Sequence, residues 1–552
     1  METNSESGRI LCSHASAELL KSQAPGLHMK LRGKIKVKGK GNMIAYWVGN
    51  THYRPNLVPI MDVSESDESE LTMEQTNVGG AIPRLGGEDH ESFATRETEE
   101  LISFADNGSD KSPTQMSPED SRYHHNIGRV AEALGDSLKE LVASRPEGAV
   151  MSSQDLEDIK KLEDEIGGEE SLLEEVVDCI PFKQQEHQVS HRHAFDVHLG
   201  KNVEGQLRNF VEACVGMYNG HGFHGMLHAA HVTASAKAML TRIVSNDGGY
   251  DESSDKSYGI ADDKLAQFAV MFAALIHDID HQGVPNFCLA KEDPVLNTRY
   301  KGTAIAEQNS LELGWEVLMA PQYSELRSCI YTSKDELVRF RKLVVNIVIA
   351  TDIFDPGLSK RREDRMQRAF DPNHWSNAIG ASTPSKEGES ASLKATVMLE
   401  LLMQASDIAH TMQHWNVYTT WNQRLFEEMY AAFEAGRFPV DPSEGWYEGE
   451  LKFFDEKVIP LAKELKSCGI FGDYSDEYLQ FATENREHWE TEGKTFVQTM
   501  VNKAKGIKVG NLMPKGPVGR LSAKGKTVIN GVGKSVEHMG KTVIKTVLPS
   551  GI

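Results

Sequence analysis

The sequence predicts an all-α fold for most of the chain, and three observations support this prediction. From about residue 174 to residue 501, apolar residues recur three or four positions apart and almost no segment alternates as a strand does. The 552 residues are 39% hydrophobic and 25% charged, which allows one large core with unpacked flanking segments. The charge is also uneven, because residues 62–120 carry sixteen acids and three bases, whereas residues 501–552 carry ten bases and one acid. We therefore predict one compact multi-helix domain between an acidic segment and a basic tail.

The first fifty residues predict a small α+β segment. Ala15–Leu20 form an amphipathic run, and apolar and basic residues then alternate with period two from Met29 to a glycine-rich turn. This order predicts a helix followed by a β-hairpin.

The rest of the chain divides by composition. Residues 51–121 are rich in Ser, Glu, Asp and Gly and cannot bury enough apolar surface to offset chain entropy, which predicts disorder. Two amphipathic helical patterns then lie between residues 122 and 165. The predicted division is a terminal segment at 1–50, an acidic linker at 51–121, a helical collar or linker at 122–179, the main domain at 180–502 and a basic tail at 503–552.

Composition also excludes several classes of protein. A net charge of −22 argues against nucleic acid as a partner. The six cysteines form no CxxC pair, which argues against a thiolate zinc site and favours a reducing, cytoplasmic setting. No run approaches 18 apolar residues, and the first 30 residues lack the order of a signal peptide. Valines three or four apart in the basic tail are compatible with weak contact to a membrane surface or a protein, or with a solvated tail.

Metal-capable side chains are concentrated in three segments of the main domain. His224 and His228 are four residues apart, a spacing that places both on one face of a helix. A strongly apolar helical pattern ends in two histidines and two aspartates, which are His277, Asp278, Asp280 and His281. Another apolar helical pattern carries the single acid Asp407. Burying so many ionisable groups costs several kcal/mol unless a cation or mutual pairing compensates.

These side chains favour a pair of divalent cations. Histidine nitrogen with aspartate oxygen suits zinc, and a shared carboxylate with waters suits magnesium or manganese beside it. Two cations about 3.5–4 Å apart would clamp a phosphoryl oxygen and activate a water molecule. The alternative is a set of buried His–Asp hydrogen bonds, for which three independent segments would each need a separate reason to bury charge.

The order of the motifs is similar to that of a known family. FHGMLHAAHV, HDIDHQGVPN, QASDIAHT and GELKFFD follow one another as in the catalytic domain of class I 3′,5′-cyclic nucleotide phosphodiesterases, and the resemblance covers about residues 180–500. That family has an all-helical, HD-type fold with zinc and magnesium. The resemblance implies that the first metal is held by His228, His277, Asp278 and Asp407, with Asp278 bridging to the second.

The resemblance also assigns roles around these ligands. It makes His224 the general acid that protonates the departing 3′ oxygen, and an unperturbed pKa of about 6.5 suits a histidine for this task. Glu307 resembles the acid that supports this histidine and the metal waters, while Asp280 and His281 resemble residues that contact the ligands from outside. Around the acid histidine the sequence departs from the family, which has Tyr, Asn and Asp in place of Phe223, Gly225 and His231.

A further departure lies in the nucleobase pocket. The purine-binding glutamine of the family falls at Glu450, three residues before Phe453, which resembles the aromatic clamp, and an asparagine that often joins it falls at His410. An ionised glutamate only accepts hydrogen bonds, whereas guanine offers two adjacent donors. We therefore predict a preference for cyclic GMP over cyclic AMP. The alternatives are that Glu450 faces solvent and a neighbouring residue reads the base, or that the register of this segment against the family pattern is wrong.

The beginning of the chain resembles a second family. METNSESGRILCSHASAELL and KGKGNMIAYWV are similar to the C-terminal end of class III nucleotide cyclase domains. The resemblance implies that residues 1–50 are a remnant of such a domain in a cyclase–phosphodiesterase fusion of the kind found in diatom-like lineages. Membrane-anchoring segments would then lie further upstream in the parent protein.

The predicted function is the metal-dependent hydrolysis of a cyclic nucleotide to its 5′-monophosphate. One alternative is a degenerate domain that binds nucleotide or acts as a scaffold, and another is a chain whose main activity is cyclisation by the missing cyclase part. A third is an HD-type nucleotide phosphohydrolase, which shares the His277–Asp278 pair but does not predict His224.

Overall fold

The computed structural model describes residues 10–13, 27–37, 41–50, 118–146, 151–166, 172–182, 194–219, 222–246, 257–370, 384–471 and 476–506. The chain divides into two compact units, residues 1–87 and residues 88–552. The predicted helix at Ala15–Leu20, most of the predicted acidic linker and the basic tail beyond residue 506 lie outside the described residues.

The first unit contains a three-stranded antiparallel sheet. Its strands are β1 (Ile10–Ser13), β2 (Leu27–Val37) and β3 (Gly41–Asn50), in the order β1-β3-β2. Strands β2 and β3 form the predicted hairpin, with Val37 opposite Gly41 next to the turn. Strand β1, which the sequence analysis did not predict, pairs with the other edge of β3.

The described part of the second unit is all-α, as the sequence predicted. Sixteen α-helices lie in this part of the chain, together with short 3₁₀ segments and a π-helical segment at Phe454–Val458. They are α1 (Pro118–Ala143), α2 (Ser153–Glu165), α3 (Lys201–Val215), α4 (Met226–Asn246), α5 (Lys264–Ile276), α6 (Asn286–Glu292), α7 (Pro294–Arg299), α8 (Ile305–Met319), α9 (Ser324–Ile330), α10 (Lys334–Ile349), α11 (Pro356–Phe370), α12 (Pro384–Asp407), α13 (Trp415–Glu434), α14 (Trp446–Phe453), α15 (Ile459–Ser467) and α16 (Glu477–Ala504).

Helix α5 is the central element of this unit. Every residue from Leu265 to Ile276 is buried, because the helix is apolar on all sides and packs against α1, α4 and α10. The Asp263 side chain caps its first turn by accepting a hydrogen bond from the backbone N–H of Ala266 at 3.0 Å. The helix ends at Ile276, so the next residues of the chain leave the core directly at the candidate site.

Helix α1, which the sequence analysis assigned to a collar or linker, packs into this core. Leu134 and Leu138 are fully buried, and the helix contacts α3, α4 and α5. Just after it, the guanidinium group of Arg145 donates hydrogen bonds to the backbone carbonyls of Cys329 and Ile330 at 2.6 and 2.7 Å. The core of the helical unit therefore includes residues well before the first catalytic motif.

A buried ion pair joins α11 to α12. Both terminal nitrogens of Arg365 donate to the carboxylate of Glu400, at 2.8 and 2.6 Å, and Asn346 donates to the same carboxylate at 3.0 Å. Glu400 lies two turns before Asp407, at the end of the same helix. The pair thus anchors the helix that delivers one of the predicted metal ligands.

The described residues bear on two further expectations. Five cysteines of the helical unit are free thiols, namely Cys179, Cys214, Cys288, Cys329 and Cys468. None of the helices described here combines the length and the apolar character that a bilayer-crossing segment needs.

Candidate active site

The four predicted metal ligands lie together at three helix ends. His228 is in the first turn of α4, His277 and Asp278 follow α5, and Asp407 is the last residue of α12. Nε2 of His228 is 2.9 Å from Oδ1 of Asp407 and 3.6 Å from Oδ2 of Asp278. Nε2 of His277 is 3.3 Å and 3.4 Å from the same two oxygens of Asp278 and Asp407. One ligand atom from each residue lies within 4.8 Å of the others, which is compatible with a single bound cation.

The His277 ring is oriented as a metal ligand would be. Its Nδ1 lies 3.1 Å from the backbone carbonyl of Ala274, so Nδ1–H donates and Nε2 points toward the acids. Nε2 is buried without a hydrogen-bond partner. Burial alone would lower the pKa of His277, but Asp278 and Asp407 raise it well above its ordinary value. The two carboxylates stabilise positive charge at the point that the four side chains surround. A donor set of two imidazole nitrogens and two carboxylate oxygens fits a divalent cation there.

The predicted acid, His224, is held by a residue that the sequence analysis missed. Helix α4 begins at Met226, so His224 lies in the bend before it, and the prediction that His224 and His228 share a helix face is wrong. Instead, Nδ1 of His224 is 2.5 Å from Oε1 of Glu428 on α13. The backbone N–H of His224 donates to Oε2 of the same carboxylate at 3.1 Å. Glu428 therefore fixes both the ring and the backbone of His224.

Two glycines allow Glu428 to come this close. A Cβ atom at position 222 would lie 2.1 Å from Oε2 of Glu428, a distance that no side chain tolerates. Gly283 has φ of +66° and would bring a Cβ atom to 3.2 Å from Cγ of Glu428. A side chain at position 222 would therefore displace the Glu428 carboxylate, and one at position 283 would also strain the backbone.

The electrostatics around His224 favour its protonated form. Burial would lower the pKa of His224, but the Glu428 carboxylate outweighs it and raises this pKa to about 9. Conversely, burial would raise the pKa of Glu428, and His224 lowers it to about 2. The His281 ring packs on that of His224 with 3.8 Å between centroids, and burial followed by the charge of His224 lowers the pKa of His281 to about 4. His281 is therefore neutral beside an imidazolium.

Asp280 and His281 differ in their surroundings. The Asp280 carboxylate accepts hydrogen bonds from Asn219 and Gln282, at 3.1 and 2.8 Å, and from Asn309 at 3.2 Å. Its backbone has φ of +60°, in the left-handed region that a non-glycine residue adopts at a cost. Asp280 therefore stabilises the turn after α5, whereas His281 contacts His224, the predicted general acid.

Glu307 hydrogen-bonds to Asn286 and not to His224. The side-chain amide of Asn286 donates to Glu307 at 3.0 Å and to Asp352 at 3.3 Å, and so bridges two carboxyl groups. Burial, reinforced by the negative charge of Asp352, raises the pKa of Glu307 to about 8. Support of His224 thus comes from Glu428, and Glu307 belongs to a separate acidic pair.

One cavity of about 320 Å³ connects these groups to the predicted nucleobase pocket. Its walls include the predicted general acid, two of the predicted metal ligands, the Glu307–Asp352 pair and all three predicted base-binding residues. The residues concerned are His224, Asp278, Asp407, Glu307, Asp352, His410, Glu450 and Phe453. A cavity of this size lies at the lower end of the range for small-molecule sites.

Glu450 is buried in the wall of this cavity, with 6% of its surface exposed, so the alternative that it faces solvent is wrong. The Tyr418 hydroxyl lies 2.8 Å from Oε2 of Glu450, and Asn422 donates to the Tyr418 oxygen at 3.4 Å. Nε1–H of Trp446 in turn donates to Oδ1 of Asn422 at 3.1 Å. Burial raises the pKa of Glu450 to about 7, against the lowering effect of the Tyr418 hydrogen bond.

The other departures from the family pattern form an apolar and neutral lining. The Phe223 ring lies 4.8 Å from that of His224 and 4.6 Å from that of His228. His231 contacts Gln413 at 3.1 Å, and burial, together with His228, lowers its pKa to about 3. Burial likewise keeps the pKa of His410 well below its usual value. These substitutions therefore add no charge near the acid.

Two residues of the cavity were not predicted but left a signal in the sequence. Glu428 follows Trp421 and Leu425 at positions that share one helix face, so an acid lies on an otherwise apolar stripe of α13. Asp352 follows ten consecutive residues that are almost all buried and apolar at the end of α10. A third unpredicted residue, Phe354, lies 6.3 Å from Phe453 between ring centroids and extends the aromatic wall.

Comparison with known proteins connects this geometry to a family. Residues 223–468 match the family described as 3′,5′-cyclic nucleotide phosphodiesterase. The chain is 25% identical over 230 residues to the dual specificity calcium/calmodulin-dependent 3′,5′-cyclic nucleotide phosphodiesterase 1C of Mus musculus, covering 41% of this chain and 27% of that protein. It is also 25% identical over 231 residues to the 1B protein of Cricetulus griseus, covering 41% and 36%. The chain thus spans well under half the length of these relatives.

Two solved structures are similar to part of this chain. The phosphodiesterase domain of Salpingoeca rosetta rhodopsin phosphodiesterase is 19% identical with a TM-score of 0.41, over 54% of this chain and 84% of that one. A second structure, of the phosphodiesterase domain of the RhoPDE fusion protein from the same choanoflagellate, is 18% identical with a TM-score of 0.42, over 54% and 86%.

Proposed function

We infer that the chain, whose residues 223–468 are a catalytic domain of the 3′,5′-cyclic nucleotide phosphodiesterase family, hydrolyses a cyclic nucleotide to its 5′-monophosphate. One observation carries this inference. A four-residue metal-binding cluster and a histidine–glutamate pair open into the same cavity as a buried carboxyl group and an aromatic wall. A nucleotide needs a charged site for its phosphate and a flat, polar-edged site for its base, and this cavity offers both.

His224 is positioned as the proton donor of this reaction. A water oxygen bonds to phosphorus and releases a proton to solvent while the bond from phosphorus to O3′ breaks, and the electron pair of that bond goes to O3′. Nδ1–H of His224 is engaged by Glu428, so Nε2 is the nitrogen that delivers the proton to O3′. The Glu428 carboxylate stabilises the charged ring before transfer and fixes its orientation.

The residues that would hold the cations follow from the same geometry. His228, His277, Asp278 and Asp407 would hold one, and we propose zinc there because the donors are nitrogen and oxygen in equal number. We propose magnesium or manganese at a second site that shares Asp278. When bound, these cations supply a Lewis acid for the phosphoryl oxygens and lower the pKa of the attacking water.

We further propose that cyclic GMP is the preferred substrate. Glu450 lies in the cavity wall with the aromatic Phe453, and no arginine or lysine among the described residues forms an ion pair with its carboxylate. An ionised carboxylate accepts hydrogen bonds from both N1–H and the exocyclic amine of guanine, whereas adenine presents a donor next to an acceptor. The two relatives described above are named as dual specificity enzymes, so a strong preference would distinguish this chain from them.

The chain of 552 residues tests the inference directly. Hydrolysis of both cyclic nucleotides is measured with and without a chelator, and again after zinc and magnesium are added back. We expect turnover that the chelator removes and the metals restore. Binding of nucleotide without hydrolysis under every metal condition would instead favour a degenerate nucleotide-binding module.

Two finer assignments lie outside the catalytic domain. We propose that residues 1–50 are the C-terminal end of a nucleotide cyclase domain, for which the β2–β3 hairpin is supporting evidence. Transcript sequencing that finds no cyclase aspartates upstream would contradict it. We also propose that the basic tail contacts anionic lipid, which loss of vesicle binding on truncation after residue 506 would test.

A further inference from the structure

We propose that Glu450 makes base selection depend on pH, because its protonated carboxyl group pairs with adenine or guanine and its ionised carboxylate pairs with guanine alone. This inference deepens the proposed function and rests on it. It concerns which nucleotide enters the cavity, whereas the metal ligands and His224 concern the chemistry of the phosphate.

The hydrogen-bond network behind Glu450 has a fixed direction. The indole N–H of Trp446 can only donate, so the Asn422 atom that it contacts at 3.1 Å is the oxygen. The amide nitrogen of Asn422 therefore donates to the Tyr418 oxygen, and the Tyr418 hydroxyl hydrogen remains to donate to Oε2 of Glu450 at 2.8 Å. Oε2 of the ionised carboxylate is therefore an acceptor, and the hydrogen bonds of Tyr418 and Asn422 both stabilise this charged form.

Glu450 is buried and has no cationic partner among the described residues, so its pKa lies near neutral pH. The carboxyl group is 6% exposed, and burial raises its pKa to about 7 although the Tyr418 hydrogen bond opposes this. A surface glutamate would be ionised throughout this range, as its ordinary pKa is about 4.3. The cavity therefore has a carboxyl group that changes charge near neutral pH.

The titratable groups that face Glu450 from neighbouring elements do not move its pKa away from neutral pH. Helix α13 provides Tyr418, whose pKa burial raises well above its usual range, so it stays neutral. The cavity side provides His410, kept neutral by burial, and Asp407 at the metal cluster. On its own helix, Glu448 is exposed to solvent and Lys452 pairs with Glu456 at 3.7 Å.

The two protonation states offer different edges to a base. A protonated carboxyl group has a donor beside an acceptor, as a glutamine amide has, and so complements N1 and the amine of adenine or O6 and N1–H of guanine. An ionised carboxylate has two acceptors, which complement N1–H and the amine of guanine. With adenine it faces the lone pair of N1, which is repulsive.

The test is the ratio of kcat/KM for cyclic GMP to that for cyclic AMP, measured on the chain of 552 residues. From about pH 6 to about pH 8.5 the protonated fraction of a group with pKa about 7 falls about thirtyfold, and we expect the ratio to rise by about that factor. Taking a ratio cancels the pH dependence of His224 and of the metals, which act on both substrates. Dissociation constants of the two nucleotides in the presence of a chelator give the same ratio without turnover.

Three variants sharpen the result. Glu450→Gln is expected to give a ratio that does not change with pH, and Glu448→Gln on the exposed side of α14 is expected to behave as the unmodified protein does. Tyr418→Phe removes the hydrogen bond that lowers the pKa of Glu450, so the midpoint should move to higher pH. A constant ratio in the unmodified protein, in turnover and in binding, would overturn the inference. Absence of hydrolysis with a pH-dependent binding ratio would instead overturn the proposed function alone.

Discussion

Replacement of Glu428 by glutamine tests the assignment of His224 as the acid. Glutamine has the size of glutamate and its oxygen can still accept a hydrogen bond from Nδ1 of His224, but it carries no charge. The carboxylate is what raises the pKa of His224 from 6.5 to about 9 against burial, which corresponds to about 3 kcal/mol in favour of the imidazolium. In the variant we expect this pKa to return to 6.5 or below.

The expected kinetic effect follows from the protonated fraction. At about pH 8 a group with a pKa near 9 is about nine-tenths protonated, and a group with a pKa near 6.5 is about 3% protonated. The variant should therefore lose about thirtyfold in kcat/KM at pH 8 and little at pH 6. The assay is the pH profile of cyclic GMP hydrolysis, because guanine pairs with Glu450 in both of its protonation states.

A matched control lies one residue away. Glu427 is on the outer side of α13, where it pairs with Lys503 at 2.9 Å, and Glu427→Gln removes the same charge without touching His224. We expect the profile of this control to equal that of the unmodified protein. A Glu428→Gln profile that is unchanged, or that is lowered equally at all pH values, would refute the electrostatic role of Glu428.

The remaining predictions concern metal and stability. Asp407→Ala should abolish turnover and reduce bound metal in elemental analysis, and full activity would contradict the metal cluster. Arg365→Met leaves the Glu400 carboxylate buried without its partner, so the free energy of unfolding should fall by about 3–5 kcal/mol in denaturant titration, whereas Arg361→Met on the exposed side of α11 should change it by about 0.5 kcal/mol or less. Leu138→Ala should cost about 2–5 kcal/mol if α1 belongs to the core, and no loss would place it outside.

Much of the fold and of the metal cluster could be predicted because each has a local signature. Apolar residues at helical spacing indicate the helices. An apolar run that ends in His277 and Asp278 indicates that ionisable side chains lie in buried surroundings. Because burial of unpaired charge is costly, three such segments are expected to converge. Each of these signatures is contained in one short segment, so a single sequence is sufficient to show it.

The partners of these residues could not be predicted in the same way. Glu428 lies 204 positions from His224, and no local pattern states which distant acid meets a given histidine. The bend before Met226 was missed because a spacing of four fits a helix, while the close approach of Glu428 to Gly222 forces a turn there. The pKa of Glu450 depends on burial and on Tyr418, neither of which its own segment reveals.

Helix α13 carries residues for both halves of the cavity. Tyr418 near its beginning supports the group that reads the base, and Glu428 ten residues later holds the proton donor, about 15 Å further along the axis. A continuous helix cannot tilt or shift at one end without moving the residues at its other end. Any ligand or partner that shifts it would alter substrate choice and turnover together, so the two properties are mechanically linked through one element.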